Sequence, residues 1–343
     1  MGEEKIRFGI IGCGIISKAH ASALAESKGG ILYSVCDIIE EKAKELAEQY
    51  NVEKVYTDYN EMLQDPNVDV VCICTPSGLH GEMCIAAAKA GKHIVCEKPM
   101  EITEEKNEAI LEAIRKYPVK MQCIFQRRTM NAAIETRKLI QEGRLGKIVL
   151  ACAYLKYYRD QAYYDSAGWR GTWELDGGGA LMNQGVHGVD LLAWMVGEKI
   201  TSVFARAGTL ARDIDVEDTS VALLQWEGGG YGVIEGTTTV YPGLDTRFEI
   251  HGEKGTIIFG DQGVEMWKFL DEEPPLPAEG ESLGGASDPK AISSIGHYIL
   301  IEDLIDAIKE DREPMIPPEE GKVAVALIRG IYRSAKENKE VYF

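Results

Sequence analysis

The sequence predicts an α/β protein with two parts: a doubly wound parallel sheet, then an α/β domain with a large, mainly antiparallel open sheet. Between residues 6 and 125, short apolar runs alternate with amphipathic helical runs, which is typical of a parallel sheet covered on both faces. Beyond residue 126, strand-like runs follow one another across short glycine-rich turns, which indicates antiparallel pairing. We therefore expect two domains, 1–125 and 126–343.

The first part divides into elements by its apolar periodicity. The predicted strands are 6–11, 31–36, 68–74, 93–96 and 120–125. The predicted helices are 15–27, 40–50, 79–90 and 103–116. This regular alternation is the basis for predicting a parallel sheet.

The second part has longer strand-like runs and fewer helices. Its predicted strands are 147–158, 200–209, 219–226, 231–240, 248–251 and 256–259. Its predicted helices are 131–142, 179–196, 294–310 and 319–337. The segment 271–290 is rich in proline, glycine and acidic residues, so we expect a surface loop there.

Composition excludes several classes of function. The net charge of −18 argues against binding nucleic acid or an anionic membrane by bulk electrostatics. No apolar run approaches the ~20 residues of a membrane-spanning helix, and the N-terminus reads as a strand rather than a signal peptide. Eight cysteines without a Cys-x-x-Cys pair predict buried free thiols, no metal site and a cytoplasmic location.

A glycine turn follows the first predicted strand and precedes the first helix. Its residues are Gly12, Cys13, Gly14, Ile15 and Ile16, with Ser17 in place of the usual third glycine or alanine. The first glycine permits a tight turn, and the second lets the backbone approach a pyrophosphate at the helix N-terminus. In this context the turn predicts a Rossmann-type domain that binds a dinucleotide.

Asp37 ends the second predicted strand, twenty residues beyond Ser17. A carboxylate there can accept both ribose hydroxyls of NAD and would repel the 2′-phosphate of NADP. Ile38 and Ile39 supply no arginine to compensate. The expected cofactor is NAD rather than NADP.

Lys98 lies in the tripeptide Glu97-Lys98-Pro99, where another predicted strand ends. Because the carboxyl ends of parallel strands meet at one edge, Lys98 is directed at the same crevice as the glycine turn. Its ammonium can donate hydrogen bonds to a reacting oxygen. Glu97 beside Lys98, and Gln126 after the last predicted strand of this part, are further candidates for binding the cofactor.

The segment from Asp176 to Asp190 carries the clearest polar pattern of the second part. Asn183 and His187 are four residues apart on a predicted helix, so they share one face. Three glycines, 177–179, allow a cofactor or another backbone to approach closely. Beside a dinucleotide domain, this pattern predicts a catalytic His187 with Asn183 next to it.

Together these motifs resemble the Gfo/Idh/MocA oxidoreductase family, named for glucose–fructose oxidoreductase, inositol dehydrogenase and a rhizopine-catabolism protein. The matching motifs run from the glycine turn through 75–77 and 97–99 to 143–146, 177–179, His187 and Asp190, which covers nearly the whole chain. The resemblance implies an open sheet that often buries one face against another subunit, hence a homodimer or homotetramer.

The resemblance also implies roles for individual residues. Lys98 and His187 face the substrate alcohol beside the nicotinamide, with His187 as general base and Lys98 as stabiliser of the alkoxide. Many family members carry Asp where this chain has Asn183, and an amide cannot take up that proton. Asn183 followed by Gln184 favours the sugar and nucleotide-sugar branch. The family wraps the cofactor with the segment of Thr75, Pro76 and His80. Further candidates are Arg127, Tyr157 and Gln184 for the substrate, and Arg170 for a carboxylate or the cofactor.

The expected function is NAD-dependent hydride transfer from a secondary hydroxyl of a sugar, sugar derivative, nucleotide sugar or cyclitol. Two alternatives stay open. One is a glycosidase that uses bound NAD transiently, through oxidation, elimination and re-reduction. The other is a non-catalytic regulator that binds NAD.

Overall fold

The computed structural model describes residues 5–272, 274–278 and 293–343, which form two compact units. The first unit runs to Gln126 and includes a later segment that ends at Lys322. The second runs from Arg127 and includes Val323–Phe343. Near its C-terminus the polypeptide thus returns to the first unit. The predicted division into 1–125 and 126–343 had assigned this late segment to the second domain.

The first unit contains a six-stranded parallel sheet. Its strands are β1 Ile6–Ile11, β2 Gly30–Cys36, β3 Lys54–Tyr56, β4 Val70–Ile73, β5 His93–Cys96 and β6 Met121–Cys123. The order β3-β2-β1-β4-β5-β6 confirms the predicted doubly wound sheet. The direction of winding reverses between β1 and β4, so the residues after these two strands lie at the switch point where such sheets bind ligands.

The predicted helices agree with the structure within a few residues, and two short helices, Tyr59–Gln64 and Gln161–Asp165, were not predicted. They are α1 Ser17–Glu26, α2 Glu40–Tyr50, α3 Tyr59–Gln64, α4 His80–Lys89, α5 Glu104–Lys116, α6 Asn131–Gln141, α7 Gln161–Asp165, α8 Val186–Val196, α9 Ile295–Glu310, α10 Pro318–Gly321 and α11 Val323–Glu337. The predicted helix 319–337 is interrupted at Lys322, between α10 and α11.

The helix α9 belongs to the first unit because it packs against α1 and the turn that follows α1. A Cβ atom added at Gly29 would lie 2.7 Å from the side chain of Ile305. The ring of His297, also on α9, lies 4.8 Å from that of His20 on α1. These contacts return a late segment of the chain to the first sheet.

The second unit contains an eight-stranded sheet. Its strands are β7 Ile148–Lys156, β8 Ile200–Gly208, β9 Thr219–Trp226, β10 Tyr231–Thr237, β11 Arg247–Gly252, β12 Gly255–Gly260, β13 Gly263–Phe269 and β14 Val341–Tyr342. Among the described strands of this second sheet, only the pair β7–β10 is parallel, which confirms a mainly antiparallel sheet. The strands β13 and β14 were not predicted, because most of β13 is exposed and β14 has two residues.

This sheet has one covered face and one open face. The helices α8 and α11 lie against it, at β7 and β8. On β9, Ala222 and Leu224 are 1% exposed, whereas Val221 and Leu223 between them are each 49% exposed. Alternate residues of a strand point to opposite faces, so apolar side chains of β9 line the open face.

All eight cysteines lie in the described ranges, where each is buried and none forms a disulfide. Burial raises the pKa of Cys13 and of Cys36 to about 12. Of the predicted loop 271–290, most lies outside the described residues. Among those described, no helix combines the length and apolarity needed to cross a membrane.

Candidate active site

The glycine turn after β1 has the geometry that a dinucleotide needs. Gly12 has a φ of +92°, and a Cβ atom there would lie 2.8 Å from the carbonyl of Cys74. A Cβ atom at Gly14 would meet nothing within 4 Å, so the backbone is open to close approach. No side chain caps the first turn of α1. The turn thus presents uncapped amides beside an approachable backbone, which fits a pyrophosphate.

Asp37 follows β2 and is tied to the glycine turn. Its Oδ2 accepts a hydrogen bond from the amide of Cys13 at 2.8 Å, and its Oδ1 accepts one from the amide of Ile39 at 2.8 Å. Each carboxylate oxygen can accept a second hydrogen bond. Ile38 beside it is 89% exposed and apolar. This carboxylate fits the ribose hydroxyls of NAD, so the turn and Asp37 together are compatible with the predicted cofactor.

The segment after β4 is connected to the segment after β5 by His80. This side chain is 1% exposed. Its Nε2 lies 2.9 Å from the carbonyl oxygen of Thr75, and its Nδ1 lies 2.8 Å from that of Pro99. Pro76 is half-buried between Thr75 and α4. His80 therefore links the two strand ends, while its predicted contact with the cofactor stays a prediction.

Lys98 is half-buried at the end of β5, and its peptide bond to Pro99 is cis. Its backbone amide donates to Oε2 of Glu97 at 3.2 Å. The other oxygen of Glu97, Oε1, accepts from Nε2 of His20 at 2.8 Å and from Nε2 of His297 at 3.1 Å. Glu97 is thus a buried carboxylate that anchors the backbone of Lys98.

The group His20, Glu97 and His297 was not found from sequence, because the two histidines lie 77 and 200 residues from Glu97. Burial raises the pKa of Glu97, but hydrogen bonds from both imidazoles outweigh it and hold that pKa well below its usual value. Burial lowers the pKa of His20. The three potential metal-ligand atoms lie within 4.8 Å of one another, in a constellation that sequence spacing did not reveal. The hydrogen bonds from both histidines to Glu97 account for this arrangement.

Two predicted residues follow β6. Gln126 is buried in the first unit. Arg127, in the second unit, donates through Nη1 to Oδ1 of Asp261 at 2.5 Å and to Thr246 at 2.7 Å. Burial lowers the pKa of Arg127, but the charge of Asp261 outweighs it and raises that pKa. The guanidinium of Arg127 therefore forms a buried structural ion pair, and its predicted contact with substrate is untested.

The helical segment before and within α8 exposes one polar face. Residues 180–185 form a π-helical turn that leads into α8. Within 180–192, only Asn183, Gln184 and His187 are partly exposed, and the other residues are buried. The structure thus brings these three predicted residues to one accessible face.

Two of the three glycines before this segment, Gly178 and Gly179, are required by packing within the protein. A Cβ atom at Gly178 would lie 2.1 Å from the hydroxyl of Tyr332, and one at Gly179 would lie 2.1 Å from the carbonyl oxygen of Glu217. The sequence predicted that these glycines let either a cofactor or another backbone approach closely. At Gly179 the neighbour is another backbone. The segment can therefore begin directly against β9 and α11.

Glu217 is a buried residue that the sequence analysis missed. Its carboxylate accepts hydrogen bonds from the amides of Gly179 at 3.0 Å and Leu181 at 2.8 Å, and from the hydroxyl of Tyr332 at 2.7 Å. Burial raises its pKa to about 7 and outweighs the opposing effect of these donors. Its position just before β9 gave no sequence signal, because its partners are distant in the chain.

The raised pKa of Glu217 predicts a pH dependence of stability. Between its ordinary value of 4.5 and about 7, the folded protein keeps a proton that the unfolded chain has lost. The stability from Glu217 is therefore present below pH 4.5 and is lost as the pH rises to about 7, by on the order of 3 kcal/mol. The variant Glu217→Gln should lack this contribution, as denaturant unfolding at pH 5 and pH 8 would measure.

The control is Glu227→Gln, which changes an exposed carboxylate just beyond β9. Its free energy of unfolding relative to the parent protein should be nearly the same at both pH values. If Glu217→Gln behaved like this control, Glu217 would not titrate in this window.

Asn183 and Gln184 belong to a chain of hydrogen bonds. The Nδ2 of Asn183 donates to Oδ1 of Asp176, and its Oδ1 accepts from Nε2 of Gln184 at 2.6 Å. The Oε1 of Gln184 accepts from Nη2 of Arg159 at 2.8 Å, and its Nε2 also donates to the hydroxyl of Tyr163 at 2.9 Å. Asp176 and Arg159, both buried, end this chain with opposite charges.

Two further arginines lie around this chain. The guanidinium of Arg170 lies 4.2 Å from the ring centre of Tyr163, and its buried Nε has no hydrogen-bond partner among the described residues. Arg212 donates through Nε to the carbonyl oxygen of Arg159 at 2.7 Å. Tyr157, a predicted substrate residue, is buried with its ring 5.8 Å from the guanidinium of Arg159. We call Arg159, Arg170 and Arg212 the arginine cluster.

Comparison with known proteins agrees with both units. Residues 6–125 match the family model described as "Oxidoreductase family, NAD-binding Rossmann fold", and residues 134–258 match "GFO/IDH/MocA C-terminal domain". The NAD-dependent scyllo-inositol 2-dehydrogenase of Bacillus subtilis is 30% identical over 92% of this chain and 89% of its own. The chain belongs to the GFO/IDH/MocA oxidoreductase family. This membership confirms the family, the fold and the NAD-binding oxidoreductase class that the sequence predicted.

Two other GFO/IDH/MocA proteins show the breadth of the family. The myo-inositol 2-dehydrogenase of Thermotoga maritima is 29% identical over 98% of both chains. The WlbA dehydrogenase of Bordetella pertussis, solved in complex with NADH and UDP-GlcNAcA, is 35% identical over 99% of both chains, with a TM-score of 0.89. The family therefore includes proteins named for neutral cyclitols and a protein solved with an anionic nucleotide sugar.

Proposed function

We propose that this GFO/IDH/MocA protein is an NAD-dependent dehydrogenase that oxidises a secondary hydroxyl of an anionic nucleotide sugar of the UDP-GlcNAcA kind. The observation that carries the substrate class is the arginine cluster beside Gln184 and Tyr163, in a chain with a net charge of −18. Guanidinium groups pair with phosphate and carboxylate through charge-assisted hydrogen bonds. A neutral cyclitol offers no such partner.

The donors of the arginine cluster support this proposal. Neither Arg170 nor Arg212 forms an ion pair with another described residue. The partnerless Nε of Arg170 is a buried donor, and such donors carry a cost unless they find an acceptor. The similarity to WlbA and the Asn183-Gln184 pair favour the same substrate class.

We assign the reaction to Lys98, Asn183 and His187. The proton of the substrate hydroxyl passes to the imidazole of His187, since imidazole is the side chain suited to proton transfer near neutral pH. Lys98 donates hydrogen bonds to the same oxygen and stabilises its developing negative charge. Asn183 hydrogen-bonds and orients the sugar without taking up a proton.

Bound NAD⁺ would supply the acceptor for the hydride of the alcohol carbon, and the overall reaction would convert a secondary alcohol and NAD⁺ into a ketone, NADH and one proton. The glycine turn and Asp37 are the residues best suited to hold it. The remaining cofactor candidates are Thr75, Pro76, His80, Glu97, Lys98, Gln126 and Arg170.

The substrate is tested by following NADH absorbance with UDP-GlcNAcA, UDP-GlcNAc, free sugars and myo-inositol. We expect kcat/KM for UDP-GlcNAcA to exceed that for UDP-GlcNAc by at least about tenfold, because the carboxylate adds a charge-assisted hydrogen bond worth ~1.5–3 kcal/mol. Faster oxidation of myo-inositol than of any nucleotide sugar would overturn the substrate class. Cleavage of a chromogenic glycoside without net NADH would identify the glycosidase, and no hydride transfer with any substrate would favour the regulator.

The position of Asp37 predicts the cofactor preference. With the same substrate, kcat/KM for NAD⁺ should exceed that for NADP⁺ at least about tenfold, equivalent to roughly 1.4 kcal/mol. The reason is repulsion between the carboxylate and a 2′-phosphate. Asp37→Ser should narrow the ratio, and equal turnover with both cofactors in the parent protein would refute the assignment.

We also infer that the open face of the second sheet joins two copies of this chain into a homodimer, or a homotetramer. Phe204, Leu223 and Val233 lie side by side on β8, β9 and β10 by strand register, and Phe204 and Leu223 are 39% and 49% exposed. Such an apolar row favours burial against another subunit. Sedimentation should give a dimer or tetramer, and Leu223→Glu should dissociate it, whereas a monomeric parent protein would contradict the inference.

The remaining inference concerns location. Eight buried cysteines without a disulfide favour a reducing compartment, because thiols persist in the cytoplasm, where disulfides are rare. We infer a cytoplasmic enzyme. Fractionation of cells that places the protein outside the cytoplasm would refute this.

A further inference from the structure

We propose that Asp176 and Arg159 are positioning residues that fix the amide of Asn183 in one orientation, and that Asp176 is the reason why residue 183 is Asn in this chain. The proposal rests on the proposed function, in which Asn183 orients the substrate. The hydrogen-bond chain from Arg159 through Gln184 and Asn183 to Asp176 carries it.

The two ends of this chain determine its direction. A guanidinium can only donate hydrogen bonds, and an ionised carboxylate can only accept them. Arg159 therefore requires the oxygen of Gln184 to face it, with Nη2 and Nε at 2.8 and 3.1 Å from Oε1. Gln184 must then turn its Nε2 toward Asn183, and Asn183 must turn its Nδ2 toward Asp176. Reversing either amide would oppose two donors or two acceptors.

Both ends of this hydrogen-bond chain are buried and have further hydrogen bonds to the backbone. Asp176 is 2% exposed, and its Oδ2 accepts from the amide of Gly171 at 2.8 Å. Arg159 is 3% exposed, and its Nη1 donates to the carbonyl oxygen of Tyr158 at 2.7 Å. Gln184 uses both amide hydrogens inside the protein, toward Tyr163 and Asn183. Gln184 therefore acts through Asn183 rather than through a free donor of its own.

This arrangement explains the residue at position 183. An Asp there would place a second carboxylate within hydrogen-bond distance of the buried carboxylate of Asp176. Two such groups cannot both ionise readily, and one of them would retain a proton at neutral pH. This protein instead carries the negative charge at Asp176, one hydrogen bond away from residue 183. Residue 183 stays neutral, which leaves His187 as the proton acceptor.

The test transfers the carboxylate from position 176 to position 183. The variants are Asp176→Asn, Asn183→Asp and the double variant, assayed for kcat/KM between pH 6 and pH 9 with UDP-GlcNAcA. We expect Asp176→Asn to lower kcat/KM about tenfold through a misoriented amide. Asn183→Asp should lower kcat/KM about 100-fold at neutral pH. The acid limb of its pH–rate profile should shift to higher pH, because the two carboxylates share a proton. The kcat/KM of the double variant should be at least about tenfold higher than that of Asn183→Asp, and the acid limb of its pH–rate profile should return to that of the parent protein.

The matched control is Asp165→Asn, which alters a carboxylate–amide contact with Gln161 on an exposed surface. Its kcat/KM should stay within about twofold of the parent, as expected for a surface change away from the site. If the two single effects instead multiplied in the double variant, with no recovery, the proposal would be overturned.

A second measurement separates this proposal from the proposed function. The unfolding midpoint of Asn183→Asp should fall more at pH 8 than at pH 5, and adding Asp176→Asn should remove that difference. This coupling needs no substrate. A protein without turnover on any substrate would thus refute the proposed function, whereas active protein with independent effects in both measurements would refute the hydrogen-bond chain.

Discussion

Replacing His187 with alanine should lower the turnover of UDP-GlcNAcA by about 10²- to 10⁴-fold, the contribution of a positioned general base. His187 lies on the only partly exposed face of the segment 180–192, with Asn183 and Gln184. The other residues of that segment are buried, so they cannot replace it as the proton acceptor. Stopped-flow or steady-state NADH absorbance measures the effect, and the parent acid limb of the pH–rate profile should disappear with it.

The control for this variant is His93→Asn, at the opposite end of β5. There Nδ1 accepts a hydrogen bond from the amide of Lys120 at 2.9 Å, and asparagine retains an acceptor. Turnover should change little in the control. If His187→Ala also turned over normally with an unaltered pH profile, the proton acceptor would have to be another group.

Replacing Lys98 with alanine should lower turnover by about 10²- to 10³-fold, the scale for losing one donor to a developing oxyanion. The backbone around Lys98 is held independently of its side chain. Its amide donates to Glu97, and the carbonyl of the next residue, Pro99, contacts His80. The variant should therefore fold normally and lose activity in kcat more than in KM.

Lys89→Ala, which removes an exposed cation from the last turn of α4, serves as the control for Lys98. Comparing Lys98→Arg with Lys98→Ala adds a second check, because Arg keeps the positive charge and partial activity should return. Equal turnover of Lys98→Ala and the parent protein would remove Lys98 from the reaction.

Periodicity predicted most of the fold because the underlying physics is local. The strand β1, the helix α2 and the strand β5 have the predicted bounds, since their apolar positions repeat at the spacing of a buried strand or a helix face. The short elements β3 and α3 were missed, because three and six residues carry too little periodicity. The edge strand β13 was missed because it buries little beyond Trp267.

The candidate site likewise contains residues that local motifs predicted and residues that they did not. Local motifs predicted Asp37, Lys98 and the partly exposed pair Asn183 and His187, because a turn, a strand end and a helix face each bring neighbouring residues together. Motifs gave no sign of the groups that hold these residues. Glu97 is held by histidines 77 and 200 residues away, and the segment that carries Asn183 is held by Glu217.

Two interpretations changed once the tertiary contacts were known. Gly178 and Gly179 allow the chain to pack against Tyr332 and Glu217, which accounts for these two glycines without a ligand. Asn183, which the sequence showed only as a departure from a commoner Asp, is the hydrogen-bond donor to a buried Asp176. Both conclusions depend on neighbours brought together by folding.

The sequence by itself determined the family, the parallel and open sheets, the glycine turn and the candidate residues for the chemistry. These follow from short-range patterns: apolar periodicity, glycine at a tight turn and a carboxylate at a strand end. Only the tertiary structure decided how the carboxylates of Glu97, Asp176 and Glu217 are used. Their protonation and hydrogen bonds depend on burial and on partners distant in the chain, and neither is encoded in local spacing.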